Sequence, residues 1–118
     1  MNKKKVLFAF NGDPMCFVHV LLNALDMNDS DYDVLVVIEG SSTKLIKKFH
    51  EEKEDAPFYG LYTKVKEAGL IDAVCKACAT KMGAIEEAKA EGLPIVGDMS
   101  GHPSMSQYTN DGYDVITF

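Results

Sequence analysis

The chain has 118 residues, and we expect one domain over residues 1–118, because chains divide into several domains only beyond about 250 residues. Its formal charge of −6 argues against binding to nucleic acid, whose phosphates require a basic surface. All 12 basic residues are Lys, so no guanidinium is available to bind a phosphate through two parallel hydrogen bonds. The 3 cysteines are an odd number, which excludes a complete set of internal disulfides.

The chain opens with a basic segment and a short apolar run. Three lysines, Lys3–Lys5, precede apolar residues 6–10, and the run stops at Asn11. A signal peptide needs an apolar region of about 7–15 residues, and a membrane-spanning helix needs about 20. We therefore expect a cytoplasmic protein that does not associate with membranes and whose thiols stay reduced.

Short apolar runs alternate along the chain with helical patterns. The predicted strands are residues 5–10, 32–38, 70–75, 93–97 and 113–118. The predicted helices are residues 14–27, 41–49, 57–68, 79–91 with an interruption at Gly83, and 105–111. The first of these runs shows no polar alternation, as expected for a strand buried on both faces of a parallel sheet. The pattern predicts an α/β fold with an open five-stranded parallel sheet, helices on both faces and the flavodoxin-like strand order 2-1-3-4-5.

The first predicted helix is apolar on nearly all sides. Its polar residues form one narrow stripe, which consists of Cys16, His19, Asn23 and Asp26. A helix with so much apolar surface is either deeply buried or covered by another subunit. We therefore predict a homo-oligomer in which the second apolar face, with Phe17 and Leu21, is covered by a neighbouring subunit.

The motif Cys75-Lys76-Ala77-Cys78 carries the strongest chemical signal. In a cytoplasmic α/β protein this spacing suggests thiol redox chemistry, because helix N–H groups and a nearby Lys76 ammonium favour the thiolate. Two features argue against a thioredoxin. The motif follows the third predicted strand instead of the first, and the chain contains no Trp.

Other polar residues follow predicted strands at the same edge of the sheet. Asn11 comes directly after the first strand, Cys16 begins the first helix, and His102 lies in a turn after the fourth strand. Open α/β sheets bind ligands at the carboxyl ends of their strands, and the predicted order makes strands one and three neighbours. We therefore predict Cys75 and Cys78 as the catalytic residues, supported by Lys76, His102, Cys16 and Asn11.

The same side chains also have the spacing of metal ligands. Cys75 and Cys78 form one ligand pair, and Cys16 together with either His19 or His102 would complete a tetrahedral set. Zinc sites usually contain a second such pair, and no second Cys-x-x-Cys is present. The sequence also lacks glycine-rich phosphate-binding motifs and motifs of hydrolases or oxidoreductases. We therefore predict no cofactor and keep a metal on Cys75, Cys78 and His102 as the alternative.

Two segments of the sequence, together with one glycine, resemble one known family. Residues 74–79, with Gly83 eight positions after Cys75, and the C-terminal residues 112–118 are similar to the DsrE/DsrF-like family, which includes YchN-like and TusD-like sulfur-relay proteins. The resemblance implies that Cys75 accepts persulfide sulfur from a donor protein and passes it to an acceptor protein. It also implies a trimer or a hexamer. The chain differs from many members by its additional Cys78, and it has Met82 where an Arg usually precedes the glycine.

Three hypotheses about function follow. The first is a cytoplasmic sulfur carrier, or sulfurtransferase-like protein, with a persulfide on Cys75. The second is a non-enzymatic homo-oligomeric module that binds a ligand or a metal. The third is a dithiol redox protein that forms a disulfide between Cys75 and Cys78.

Overall fold

Within residues 2–118, which the computed structural model describes, five parallel strands form one sheet. The strands are β1 (Lys4–Ala9), β2 (Asp33–Ile38), β3 (Ile71–Cys75), β4 (Ile95–Val96) and β5 (Asp114–Thr117). The helices are α1 (Pro14–Asp29), α2 (Thr43–Glu52), α3 (Tyr59–Glu67), α4 (Lys76–Lys81), α5 (Ile85–Ala90) and α6 (Met105–Asn110). Single 3-10 turns precede and follow α2, at Gly40–Ser42 and Lys53–Asp55. The predicted α/β class and parallel sheet are confirmed.

The strand order is β4-β3-β2-β1-β5, so the predicted order 2-1-3-4-5 is wrong. β1 pairs with β2 and β5, and β2 lies between β1 and β3. The predicted contact between the first and third strands is therefore absent from this sheet of residues 2–118. The runs that form the strands are all short and mostly apolar, and nothing in that pattern tells which strand pairs with which neighbour.

The chain reverses its direction across the sheet once. β1 to β4 are added one after another, and β5 then returns to pair with β1. Crossovers between parallel strands are right-handed, so a reversal moves the connecting helix to the opposite face. Helices α1 to α5 accordingly contribute to one core cluster. α6 packs on the other face, where Tyr108 meets Phe8 edge to face at 5.6 Å between ring centroids.

The ends of the helices follow from local sequence signals. Asp13 is the N-cap of α1, where its carboxylate accepts a hydrogen bond of 2.9 Å from the Met15 N–H, and Pro14 is the first helical residue. Gly83 has φ +71° and separates α4 from α5, as the interruption in the sequence indicates. None of the helices within residues 2–118 is long and apolar enough to cross a membrane.

α1 buries the residues that we expected in a subunit interface. Phe17 is 2% exposed and Leu21 is 0% exposed, and both belong to the core between the sheet and the helices. The prediction that these two side chains need a neighbouring subunit is therefore wrong, because the chain covers them itself. The apolar residues that α1 exposes are instead Met15 and Leu22, with 61% and 45% exposure.

A buried polar cluster connects α2, α3 and the residue after α5. The fully buried Tyr62 donates a short hydrogen bond to the Glu91 carboxylate. Lys66 Nζ lies 3.3 Å and His50 Nδ1 lies 3.0 Å from the same carboxylate, whose side chain is 7% exposed. Burial, together with Glu91, raises the pKa of Tyr62 well above its usual range. The buried hydroxyl therefore depends on Glu91 as its acceptor.

Replacing this acceptor is expected to destabilise the fold. Glu91→Ala should lower the free energy of unfolding by about 1–3 kcal/mol, because it leaves a buried hydroxyl without a partner. The measurement is denaturant unfolding, with Glu86→Ala on the exposed side of α5 as the control, which should change stability by less than about 0.5 kcal/mol.

A double variant separates the cost of the unpaired Tyr62 hydroxyl from the cost of losing the packing of the Glu91 side chain. Adding Tyr62→Phe to Glu91→Ala removes the unpaired hydroxyl, so the double variant should recover part of the lost stability. Equal losses for Glu91→Ala and Glu86→Ala would contradict this account of the cluster.

Candidate functional site

β3 passes directly into α4 at Cys75. This residue ends the strand and is the N-cap of the helix, with φ −64° and ψ 117°. Its Sγ accepts a hydrogen bond of 3.4 Å from the Cys78 N–H, one of the N–H groups that a first helical turn leaves without a partner. The helix therefore begins at Lys76, before the predicted start at Ala79, because the thiol takes the place of the usual oxygen cap.

His102 is carried by a tight turn that follows β4. Met99 and His102 exchange backbone hydrogen bonds of 2.9 and 3.0 Å. The two central residues, Ser100 and Gly101, have φ values of +50° and +93°, the signs of a type I′ turn. The Gly101 carbonyl accepts a hydrogen bond of 2.9 Å from the Ala77 N–H. The turn and the first turn of α4 therefore hold each other in place.

This contact brings one imidazole to two thiols. His102 Nδ1 lies 3.0 Å from Cys75 Sγ and 3.8 Å from Cys78 Sγ, and the three atoms are within 4.8 Å of one another. Cys75 is fully buried, whereas Cys78 and His102 are partly exposed. A molecule that approaches from solvent therefore meets Cys78 and His102 before it reaches Cys75.

The surroundings of Cys75 favour its neutral form. The pKa of the Cys75 thiol is raised to about 12, mainly by burial. The hydrogen bond from the Cys78 N–H lowers this pKa, whereas the Cys78 thiol and the Glu39 carboxylate raise it. The resting group is therefore a thiol near neutral pH. To act as a nucleophile it must give its proton to a base, and the His102 ring is in contact with it.

Glu39 belongs to this site, although the sequence analysis did not single it out. It follows β2 and is only 7% exposed. Burial raises the pKa of its carboxyl group, and the nearby His102 lowers it in part. When ionised, the carboxylate disfavours a Cys75 thiolate. Its signal in the sequence is a carboxylate placed directly after a buried strand, at the edge where such sheets bind ligands.

The other predicted site residues lie apart from this group. Cys16 is on the first turn of α1, and β2 separates β1 from β3. The Asn11 side chain accepts a hydrogen bond of 2.8 Å from the Asp13 N–H and so shapes the turn after β1. Lys76 is exposed to solvent. Within residues 2–118, the three atoms that meet are those of Cys75, Cys78 and His102.

The turn that carries His102 is expected to control access to Cys75. A Cβ at Gly101 would lie 3.0 Å from the Ala77 Cβ, at a φ of +93° that L side chains rarely adopt. Gly101→Ala should therefore push the turn away from α4 and uncover the thiol. We expect Cys75, buried and slow to react in the native protein, to be alkylated several-fold faster in this variant, as measured by mass spectrometry of tryptic peptides.

Gly83→Ala is the matched control. Its φ of +71° imposes similar backbone strain, but its Cβ would meet open space. It should cost roughly 1–2 kcal/mol in stability and leave the alkylation of Cys75 unchanged. Equal acceleration in both variants would contradict a specific role for the turn.

Comparison with a solved structure supports the fold. A conserved protein of unknown function from Bacteroides thetaiotaomicron superposes with a TM-score of 0.68, covering 98% of this chain and 95% of that chain. Its sequence identity is 13%, so the similarity concerns the fold alone. This chain is therefore a parallel-sheet α/β protein with a cysteine at the junction between its third strand and the helix that follows.

Sequence comparison identifies the family within this class. The family model described as DsrE/DsrF-like matches residues 4–118, and the chain belongs to this family. An uncharacterized protein of Methanocaldococcus jannaschii is 30% identical over 99 residues, which are 84% of this chain and 77% of the relative. An uncharacterized protein of Archaeoglobus fulgidus is 37% identical over 51 residues, which are 43% of this chain and 84% of the relative. The predicted family resemblance is confirmed.

Proposed function

We propose that this protein is a sulfur carrier that holds sulfane sulfur as a persulfide on Cys75 and passes it to an acceptor thiol. The contact of 3.0 Å between Cys75 Sγ and His102 Nδ1, at the cap of α4, is the observation that carries the proposal. Membership in the DsrE/DsrF-like family supports it, because the sequence resemblance implies sulfur relay.

Loading is a displacement at sulfur without net oxidation. His102 accepts the Cys75 proton, and the thiolate attacks the outer sulfur of a donor persulfide, R–S–SH. The donor S–S bond breaks, R–S⁻ leaves and takes the proton from His102, and Cys75 carries the S–SH group. Unloading follows the same course with an acceptor thiol as the attacking group, and Cys75 returns to its protonated form.

Cys78 gives the incoming sulfur a route to the buried thiol. Cys78 is partly exposed, and its Sγ belongs to the group of atoms within 4.8 Å that includes Cys75 Sγ. A persulfide on Cys78 reaches Cys75 by the same displacement, in which Cys75 attacks the outer sulfur and Cys78 leaves as the thiolate. Burial of Cys75 then shields the persulfide from thiols in solution.

The donor and acceptor are proposed to be thiol proteins that bind around the turn carrying His102. Met99 and Met105, at either end of this segment, are 52% and 38% exposed and offer flexible apolar contacts. We place the exchange in the cytoplasm, where thiols stay reduced. We also retain the homo-oligomer, a trimer or a hexamer, as a proposal that light scattering of the purified protein tests.

Mass spectrometry tests the carrier directly. Incubation of metal-free protein with a persulfide donor, followed by alkylation and trypsin, should add the mass of one sulfur atom to the peptide with Cys75. Cleavage after Lys76 places Cys75 and Cys78 in different peptides, so each thiol is identified separately. Cys75→Ser should abolish the stable adduct, because the buried thiol that holds the sulfur is lost.

Two further variants complete the test. Cys16→Ser should load normally, and Cys78→Ser should load more slowly but to the same final extent. A sulfur adduct undiminished in Cys75→Ser would contradict the proposal. A disulfide between Cys75 and Cys78 in place of the adduct would favour the dithiol redox function instead.

A further inference from the structure

We propose that Cys75, Cys78 and His102 form a binding site for one zinc ion per chain. The first support is geometric. Tetrahedral zinc with bonds of about 2.3 Å to sulfur and 2.0–2.1 Å to nitrogen separates its ligand atoms by about 3.3–3.8 Å. The two S···N separations at this site are 3.0 and 3.8 Å. The two Sγ atoms lie within 4.8 Å of each other, so movements of about 1 Å or less place all three atoms around one metal ion.

The chemistry of the ligands supports the same ion. Two thiols and one imidazole form a set that suits zinc, and the Cys-x-x-Cys spacing on a helical turn is common in zinc sites. The metal supplies positive charge where the Cys75 thiolate is otherwise disfavoured, and it replaces the protons of both thiols.

The protein backbone holds the ligands in place in the absence of metal. Cys75 and Cys78 are fixed by the junction between β3 and α4, and His102 by the turn whose carbonyl at Gly101 binds the N–H of Ala77. Such preorganisation lowers the conformational entropy that binding must overcome. The partial exposure of Cys78 and His102 leaves a path for the ion and a coordination position for a fourth ligand, such as water.

Zinc and sulfur would compete for the same atoms. A thiolate bound to zinc is no longer free to attack a persulfide, so the metal would act as an inhibitor of sulfur loading. This competition rests on the proposed carrier function, whereas zinc binding itself rests only on the geometry of the three side chains.

Zinc binding is tested on the full chain without a polyhistidine tag. Reduced, metal-free protein is titrated with Zn²⁺ in competition with a chromophoric chelator, and Co²⁺ is added separately to record absorption spectra. We expect one Zn²⁺ per chain, and for Co²⁺ a tetrahedral spectrum with sulfur-to-metal charge transfer. Cys75→Ser, Cys78→Ser and His102→Gln should each weaken binding by more than the roughly 10- to 100-fold typical of losing an outer-shell partner.

Cys16→Ser and His19→Gln are the matched controls, and both should bind zinc as the unchanged protein does. Unchanged affinity in Cys75→Ser and Cys78→Ser, or an octahedral Co²⁺ spectrum without sulfur charge transfer, would overturn the zinc site. Sulfur loading is measured by mass spectrometry on metal-free protein, so a failure of the zinc site and a failure of the sulfur carrier can be told apart. Loading of the zinc-bound protein at the metal-free rate would overturn the competition alone.

Discussion

β3 continues into α4 through a single residue, Cys75, and the position of every other group at the site depends on this junction. The strand fixes Cys75 in the sheet, and the helix places Cys78 one turn later with its N–H on the Cys75 sulfur. The free N–H of Ala77 then binds the carbonyl of Gly101, which sets the turn that carries His102. The strand, the helix and the turn therefore together set the distance of 3.0 Å between Cys75 Sγ and His102 Nδ1.

Sequence patterns predicted the fold class and the three central residues, because each has a local signal. Uniform apolar runs indicate buried parallel strands, Cys-x-x-Cys marks the end of the third strand, and His102 follows the fourth. The strand order was not predictable, since it depends on which strand edges pair, and the short, mostly apolar runs carry no signal for that pairing. Phe17 and Leu21 show the same limit, because composition identifies an apolar face without telling whether the sheet or a subunit covers it. Glu39 required the structure, which places it beside two groups distant in the sequence.

Burial of Cys75 limits the reaction of its sulfur with molecules in solution. A thiol at Cys75 that stays protonated is a poor nucleophile, and on the proposed function it is activated when His102 accepts its proton. A zinc ion would stabilise the thiolates by a different route and hold them unreactive. On the two proposals, the same three side chains would serve either sulfur transfer or zinc binding, and the supply of persulfide and of metal would decide which occurs.

The role of His102 is the central claim, and the rate of a single sulfur transfer tests it most directly. Metal-free protein is mixed with excess persulfide donor at neutral pH, and the sulfur on Cys75 is followed with time. His102→Asn keeps the size and a polar atom of the side chain but cannot accept a proton, so loading should slow by about 10²- to 10⁴-fold. His19→Asn, on the exposed side of α1, should load at the native rate. Equal loading rates in His102→Asn and the native protein would contradict the account.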